Sequence, residues 1–331
     1  MDLEKFEYAI TKYGTPLYVF DMDEVKRKTD YFRDRFRESA GLCFAMKANP
    51  FLTRTMSKLT DRIEVCSMGE FEICRELQIE AEKLLISGVL KKKEDITEIL
   101  NIYGGRCRYT AESVEQLYSY INWGSTHGEK LNVYLRLTSG NQFGMDEEAI
   151  EKIIASKDQF PMIKVCGIHF FSGTQKKTAE KFSKEIAYLD KFCWKIEQKY
   201  GFTMSELEYG PGIAVPYFKD QEDTLEADIE VIKTAICRMK WKGKVMLEMG
   251  RAFAASCGYY LTCIHECKKN NGRNYCIVDG GMHQIHYDGQ IRGMYQPKCR
   301  IYLDGREGEK EKWTICGALC TANDVLIRDI D

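Results

Sequence analysis

Eight short apolar runs, at residues 42–48, 62–67, 83–88, 106–111, 131–138, 164–171, 206–212 and 244–250, are separated by stretches with helical periodicity. Each run is apolar or alternating, as strands of a buried parallel sheet are. In 177–199 the apolar set Phe182, Ile186, Leu189, Cys193 and Ile196 is spaced four, three, four, three. In 224–239, Leu225, Ile229, Ile232, Ile236 and Met239 repeat the same spacing. Such stripes are helix faces that pack on a sheet. Strand–helix alternation implies parallel strands, and eight such strands predict a closed (β/α)8 barrel. Residues 301–314 differ: they read as strand-like pieces around a turn at Asp304–Gly305, which predicts a β-rich tail. The boundary is expected near residue 253.

Composition narrows the partners. A chain of 331 residues that is 44% hydrophobic and 30% charged is long enough for a barrel plus a smaller soluble domain. Its net charge of -2 gives no reason to expect nucleic acid or an acidic membrane surface. No apolar stretch approaches the length of a membrane span. The N-terminus, MDLEKFEYAI, is charged and lacks the apolar core of a signal peptide. The 14 cysteines are therefore expected as reduced thiols in a cytoplasm. Cys257, Cys263 and Cys267 cluster only loosely, without metal-ligand spacing, so no metal is expected.

Chemistry should lie at the C-terminal ends of the strands, where barrels of this type keep it. Lys47 closes the first run, LCFAMKANP. Two readings are open: an exposed strand-end lysine, or a desolvated amine of lowered pKa that forms a Schiff base with a carbonyl such as that of pyridoxal phosphate. The seventh run ends in GPG, with Gly210 and Gly212 around Pro211. This is a tight turn or a backbone cradle for phosphate. The eighth ends in LEMGR. Glu248 and Arg251 around Gly250 could form an ion pair, or serve a pyridine nitrogen and a phosphate respectively. The sixth ends in GIHFFSGTQ, which brings His169, Phe171 and Thr174 to the same rim. A lone histidine there reads as a satisfied core residue, and the Thr174 hydroxyl suits a phosphate oxygen. One cofactor needs this whole set: an aldehyde acceptor, phosphate donors and a carboxylate for the ring nitrogen.

These segments resemble the alanine-racemase-fold (type III) pyridoxal-phosphate decarboxylases, the diaminopimelate and ornithine decarboxylases among them. YGTPLYVFD (13–21) resembles the family's entry strand, and FAMKAN its YAVKAN-type motif. IEVCSMGEF (63–71) resembles DVVSGGEL, GIHFFSGTQ resembles GLHFHIGSQ, GPG resembles GGG, and LEMGR resembles EPGR. VDGGMH (278–283) resembles VDAGMN, and CTANDVL (320–326) resembles CESGDxL. The resemblance implies a barrel over roughly 22–252 and a β domain from residues 1–21 and 253–331. It also implies pyridoxal 5'-phosphate on Lys47, with Phe171, Thr174, Gly210, Gly212, Glu248, Gly250 and Arg251 as cofactor contacts. Cys320 would protonate the product carbanion across the interface of a homodimer with shared active sites.

Four departures bear on the substrate and the site. The family's ring-stacking histidine is Phe171, which can stack but cannot hydrogen-bond. The acid after the cysteine, which in the family meets the distal amine of a diamino substrate, is Thr321. Pro211 removes one backbone donor from the phosphate turn. The chain stops at Asp331, before the family's β segment with a GAY motif, so it is either truncated or does without that segment. The implied reaction is decarboxylation of a small-molecule α-amino acid, either diaminopimelate or a conjugated, non-basic amino acid of the kind used in siderophore or antibiotic pathways. An amino-acid racemase on the same barrel and a catalytically silent regulatory homologue are the alternatives.

Overall fold

The computed structural model describes residues 3–302 and 310–330. The chain divides into two compact units. One comprises residues 23–215 and 224–254; the other takes the chain up to residue 22, residues 216–223, and the chain from 255 onward.

The second unit begins with helix Leu3–Tyr13 and strand β1, Leu17–Phe20. The first unit follows with eight parallel strands that close on themselves. They are β2 (Gly41–Ala45), β3 (Arg62–Val65), β4 (Leu84–Ile86), β5 (Arg108–Ala111), β6 (Leu131–Arg136), β7 (Ile163–Phe171), β8 (Glu206–Gly210) and β9 (Lys244–Met249). Closure is made by β9 on β2, with Cys43 opposite Glu248 and Phe44 opposite Met249. The barrel expected from the eight apolar runs is therefore present. Several strands stop one to three residues before the apolar run does, because the residues that follow the ladder remain buried. Met46, already in a turn, is 0% exposed.

Helices start close behind the strand ends, where side chains satisfy their first N–H groups. Ser67 accepts from Glu70 N, Ser113 from Gln116 N and Asp146 from Ala149 N. The apolar stripes of 177–199 and 224–239 become helices Ala179–Tyr200 and Leu225–Cys237, with Phe182, Ile186, Leu189, Ile229 and Ile232 buried. Gly201 ends the first of these in a left-handed conformation, φ 59°.

In the other unit β10 (Gly258–Leu261) pairs antiparallel with β1, so both chain ends build it. A four-stranded sheet follows: β11 (Ile264–Asn270), β12 (Arg273–Val278), β13 (Trp313–Cys316) and β14 (Val325–Ile330). Asn271 and Gly272, both at positive φ, form the two-residue turn between β11 and β12. Val278, Leu326, Ile327 and Ile330 make its core. The β-rich tail expected over 301–314 is only partly found. Residues 301–302 and 310–312 are not strand, and β13 begins at Trp313. Lys310, Glu311 and Lys312 are all charged and exposed, with no apolar face to bury. The turn placed at Asp304–Gly305 lies outside the described residues.

Candidate active site

Lys47 does not end a strand. β2 stops at Ala45, and Met46–Ala48 forms a 3-10 turn. Asn49 closes this turn and caps the next, its side chain accepting from Phe51 N while Pro50 takes the first helical position. The KANP sequence thus encodes a rigid bend that aims Lys47 over the mouth of the barrel. Gly250 permits a close neighbour: a Cβ there would lie 2.7 Å from Ala48 Cβ and 3.1 Å from Ala45 O. The LEMGR turn is thereby seated against the lysine turn.

Lys47 Nζ donates to Glu64 Oε2 at 3.1 Å and to Cys66 Sγ at 3.4 Å, and lies 3.8 Å from Glu248 Oε1. Its side chain is 48% exposed, while those of Glu64 and Glu248 are 1% and 5% exposed. Of the two readings left open, an exposed lysine or a desolvated amine of lowered pKa, the lowered pKa is not found. Burial does act to lower the pKa, but the Glu64 and Glu248 carboxylates outweigh it and hold Lys47 protonated well above the ordinary lysine value.

Glu248 also accepts from His169 Nε2 at 2.8 Å, and His169 Nδ1 meets Thr110 Oγ1 at 3.2 Å. His169 is fully buried, so the satisfied-core reading describes its packing, yet it directly braces the carboxylate at the centre of the site. Burial would raise the Glu248 pKa. Lys47 and His169 overcome it and keep the carboxyl ionised, well below the usual range.

The loops after β7 and β8 are fastened to each other. Gln175 and Val215 exchange two hydrogen bonds, Nε2 to Val215 O at 3.1 Å and Val215 N to Oε1 at 2.8 Å. Lys176 N donates to Gly212 O at 3.1 Å. Glu185, on helix Ala179–Tyr200, accepts from Ser172 Oγ at 2.5 Å, Lys176 Nζ at 2.6 Å and Tyr209 Oη at 2.7 Å. Gly212 has φ 68°, and a Cβ on it would lie 1.9 Å from Gly173 O. Gly210 faces the Phe171 ring, with Cδ2 2.6 Å from where a Cβ would be. Thr174 is exposed on the first loop, and Arg251, partly exposed, opens the short helix Arg251–Ala254. Gly212→Ala should therefore cost about 1–3 kcal/mol of stability through the forced backbone shift. Urea unfolding checks this, and an unchanged midpoint would mean that the loops do not depend on this close approach.

Several rim residues escaped the sequence reading. Glu64, Cys66 and Ser87 surround the lysine. Arg136, the last residue of β6, donates to Glu112 Oε1 at 3.1 Å, and Glu112 Oε2 accepts Gly144 N. Lys91, in the loop after β4, donates to Gly88 O and Gln116 Oε1. Burial, opposed by Glu112 and helped by Arg136, brings Lys91 down to about 8. The charged ones, Glu64, Lys91, Glu112 and Arg136, carried the signal that Lys47 gave: a charged residue inside or just behind an apolar run.

Cys320 lies in the other unit, exposed, on the loop between β13 and β14. Asp324, 2% exposed, accepts from Met282 N at 2.6 Å and Leu319 N at 2.8 Å, and Ala318 N donates to Gly280 O. This ties CTANDVL to VDGGMH, with Thr321 beside the thiol in sequence. Among the described residues there is no cluster of three or more side chains suited to a metal ion, and no helix is long and apolar enough to cross a membrane.

The sequence matches the family described as "Pyridoxal-dependent decarboxylase, pyridoxal binding domain" over residues 22–255, and the chain belongs to that family. It is 28% identical to the diaminopimelate decarboxylase of Methanocaldococcus jannaschii, over 96% of this chain and 78% of that one. It is 27% identical to an L-glutamyl-[BtrI acyl-carrier protein] decarboxylase of Niallia circulans, over 100% and 83% of the two chains. The structure of the M. jannaschii enzyme with L-lysine superimposes with a TM-score of 0.84 at 25% identity, covering 98% of this chain and 80% of that one. SrLDC, in complex with PLP and cadaverine, shares the fold with a TM-score of 0.83 at 22% identity, covering 100% and 84%. The protein is a pyridoxal-phosphate-dependent amino-acid decarboxylase. Its own residues fit the cofactor: an ionised buried carboxylate for the ring nitrogen, an amine beside it, and a rim turn that only glycine can form.

Proposed function

We propose that Lys47 holds the cofactor and that the chain, as a homodimer, decarboxylates an α-amino acid with no free ammonium at its distal end. The observation that carries the site assignment is the buried, ionised Glu248, 3.8 Å from Lys47 Nζ at the mouth of the barrel. When bound, pyridoxal phosphate supplies an electron-withdrawing ring that takes up the electron pair left as carbon dioxide departs. Glu248 would keep a proton on the pyridine nitrogen, its carboxylate held by His169, which Thr110 in turn orients. Phe171 would pack against the ring. Arg251, the Thr174 hydroxyl and the backbone around Gly210, Gly212 and Gly250 would hold the phosphate. Lys47 would hold the cofactor between turnovers and yield it to the substrate amine. Cys320 of the partner subunit would donate a proton to the carbon that lost the carboxylate. The fourteen free thiols support a reducing, cytoplasmic setting.

The distal-group assignment rests on Thr321, a neutral hydroxyl where the resembling family places an acid. The glutamyl carrier-protein enzyme, similar over the whole chain, supports a conjugated substrate. Diaminopimelate is the second reading, favoured by the similarity to the M. jannaschii enzyme. Incubation with diaminopimelate, lysine, ornithine, glutamate and N-acylated or carrier-linked amino acids, with product amines read by mass spectrometry, decides between them. Conversion of a conjugated substrate alone supports the first reading; conversion of diaminopimelate alone overturns it.

Arg251→Ala should remove a charge-assisted contact and weaken cofactor binding by roughly 1.5–3 kcal/mol, about a tenfold to hundredfold rise in Kd. Fluorescence titration of the apoprotein measures it. An unchanged Kd would take Arg251 out of the site.

A further inference from the structure

We propose that Cys66 and Ser87 are positioning residues that clamp one oxygen of Glu64, so that the other oxygen exchanges protons with Lys47 as this amine takes up and releases the cofactor. The inference rests on the reading that Lys47 holds the cofactor. Attack by an amine on an aldehyde needs the amine uncharged, and Lys47 is held as an ammonium. A group in hydrogen-bond contact must therefore accept its proton. Glu64 Oε2, 3.1 Å from Nζ, is placed to do so.

Three features of the fold prepare Glu64 for this. Glu64 and Cys66 are two residues apart at the end of an extended strand, so their side chains fall on the same face. β3 pairs with β4 with Val65 opposite Ile86, and Ser87 N donates to Val65 O at 2.8 Å, which sets Ser87 beside Cys66. Cys66 Sγ and Ser87 Oγ, 3.5 Å apart, both donate to Glu64 Oε1. The backbone of Cys66 is itself held. Its N–H donates to Glu70 Oε2 at 2.7 Å, and a Cβ on Gly88 would lie 2.3 Å from its carbonyl oxygen. Glu64 is thus a buried carboxylate with both oxygens occupied, one by two neutral donors and one by the ammonium.

The charged and titratable groups that face it are Lys47 and Cys66, with Glu248 beyond the ammonium, Glu70 in the first turn of helix Met68–Glu76, and Lys91 on the loop after β4. Burial and the Glu64 charge keep the Cys66 thiol protonated, so it serves as a donor and not as a nucleophile. Removing either donor frees Oε1, so that Oε2 is no longer held against the amine; Lys47 then takes up the cofactor more slowly and loses it at a higher pH.

The test is a spectrophotometric pH titration of the holoenzyme, following the visible absorption of lysine-bound cofactor. A parallel stopped-flow measurement mixes apoprotein with pyridoxal phosphate. Cys66→Ala and Ser87→Ala should each raise the acid midpoint by about half to one pH unit and slow the attachment step. Cys66→Ser, which keeps a donor, should return the midpoint toward wild type. Equal shifts in Cys66→Ala and Cys66→Ser would mean that the thiol only fills space and would overturn the proposal, as would unmoved midpoints. Borohydride reduction of the wild-type holoenzyme separates the two layers. Cofactor fixed on another lysine defeats the reading beneath; cofactor on Lys47 with unmoved midpoints defeats this inference alone.

Discussion

Lys47→Ala is expected to abolish the visible absorption of lysine-bound cofactor and to lower decarboxylase activity by several orders of magnitude, as loss of a covalent catalytic group does. The proposed phosphate contacts and the Glu248 carboxylate lie outside the substitution, so the variant should still bind pyridoxal phosphate, with the spectrum of the free aldehyde. Spectra and carbon dioxide release on the same preparation check this. The variant also leaves Glu64 and Glu248 as buried carboxylates without their ammonium. Unpaired buried charges are costly, so a loss of thermal stability at neutral pH should accompany the loss of colour. The sign follows from the shift. The Glu248 pKa is depressed in the folded protein, so its pairing stabilises the fold above the ordinary carboxylate range and is lost as pH falls toward about 2. The deficit of Lys47→Ala should accordingly shrink in acid.

The second large effect is complementation. Lys47→Ala and Cys320→Ala are each expected to be inactive, and their mixture should recover activity once subunits exchange. A heterodimer joins the lysine of one chain with the thiol of the other and so rebuilds one site of its two. With equal amounts and random exchange, recovery should approach about a quarter of wild type in a two-fold dimer. Two features favour this reading of Cys320. Its thiol is exposed, and its loop is tied down where buried Asp324 accepts from the N–H groups of Met282 and Leu319. Proven exchange without recovery would mean that Cys320 acts within its own chain, or not at all.

The fold was legible because strand and helix periods alternate so regularly; strand ends were not. Hydrophobicity reports burial, and residues such as Met46 and Leu137 stay buried after the ladder has ended. The lysine, the glycine turn and the Glu/Arg pair could be read because each follows an apolar run. The protonation state of Lys47 could not, because Glu64 and Glu248 reach it from strands 17 and 201 residues away along the chain. Glu112 and Arg136, behind and at the end of their strands, offered the same cue as Lys47 and were passed over for want of a recognisable motif. In the β unit, the Asn271–Gly272 pair is a strong local turn signal that was passed over in the sequence reading. The role of Asp324 was not, since its partners, Met282 and Leu319, are contacted through backbone N–H groups that no side chain reveals.

Lys47, and no other amine, is expected to carry the cofactor. Borohydride reduction of the holoenzyme followed by peptide mass mapping tests it most directly. Lys91, brought down to about 8 on the same rim, is the natural competitor. The expected result is a pyridoxyl group on the peptide that contains Lys47 and an unmodified Lys91. Label on Lys91, or on any other lysine, would contradict it.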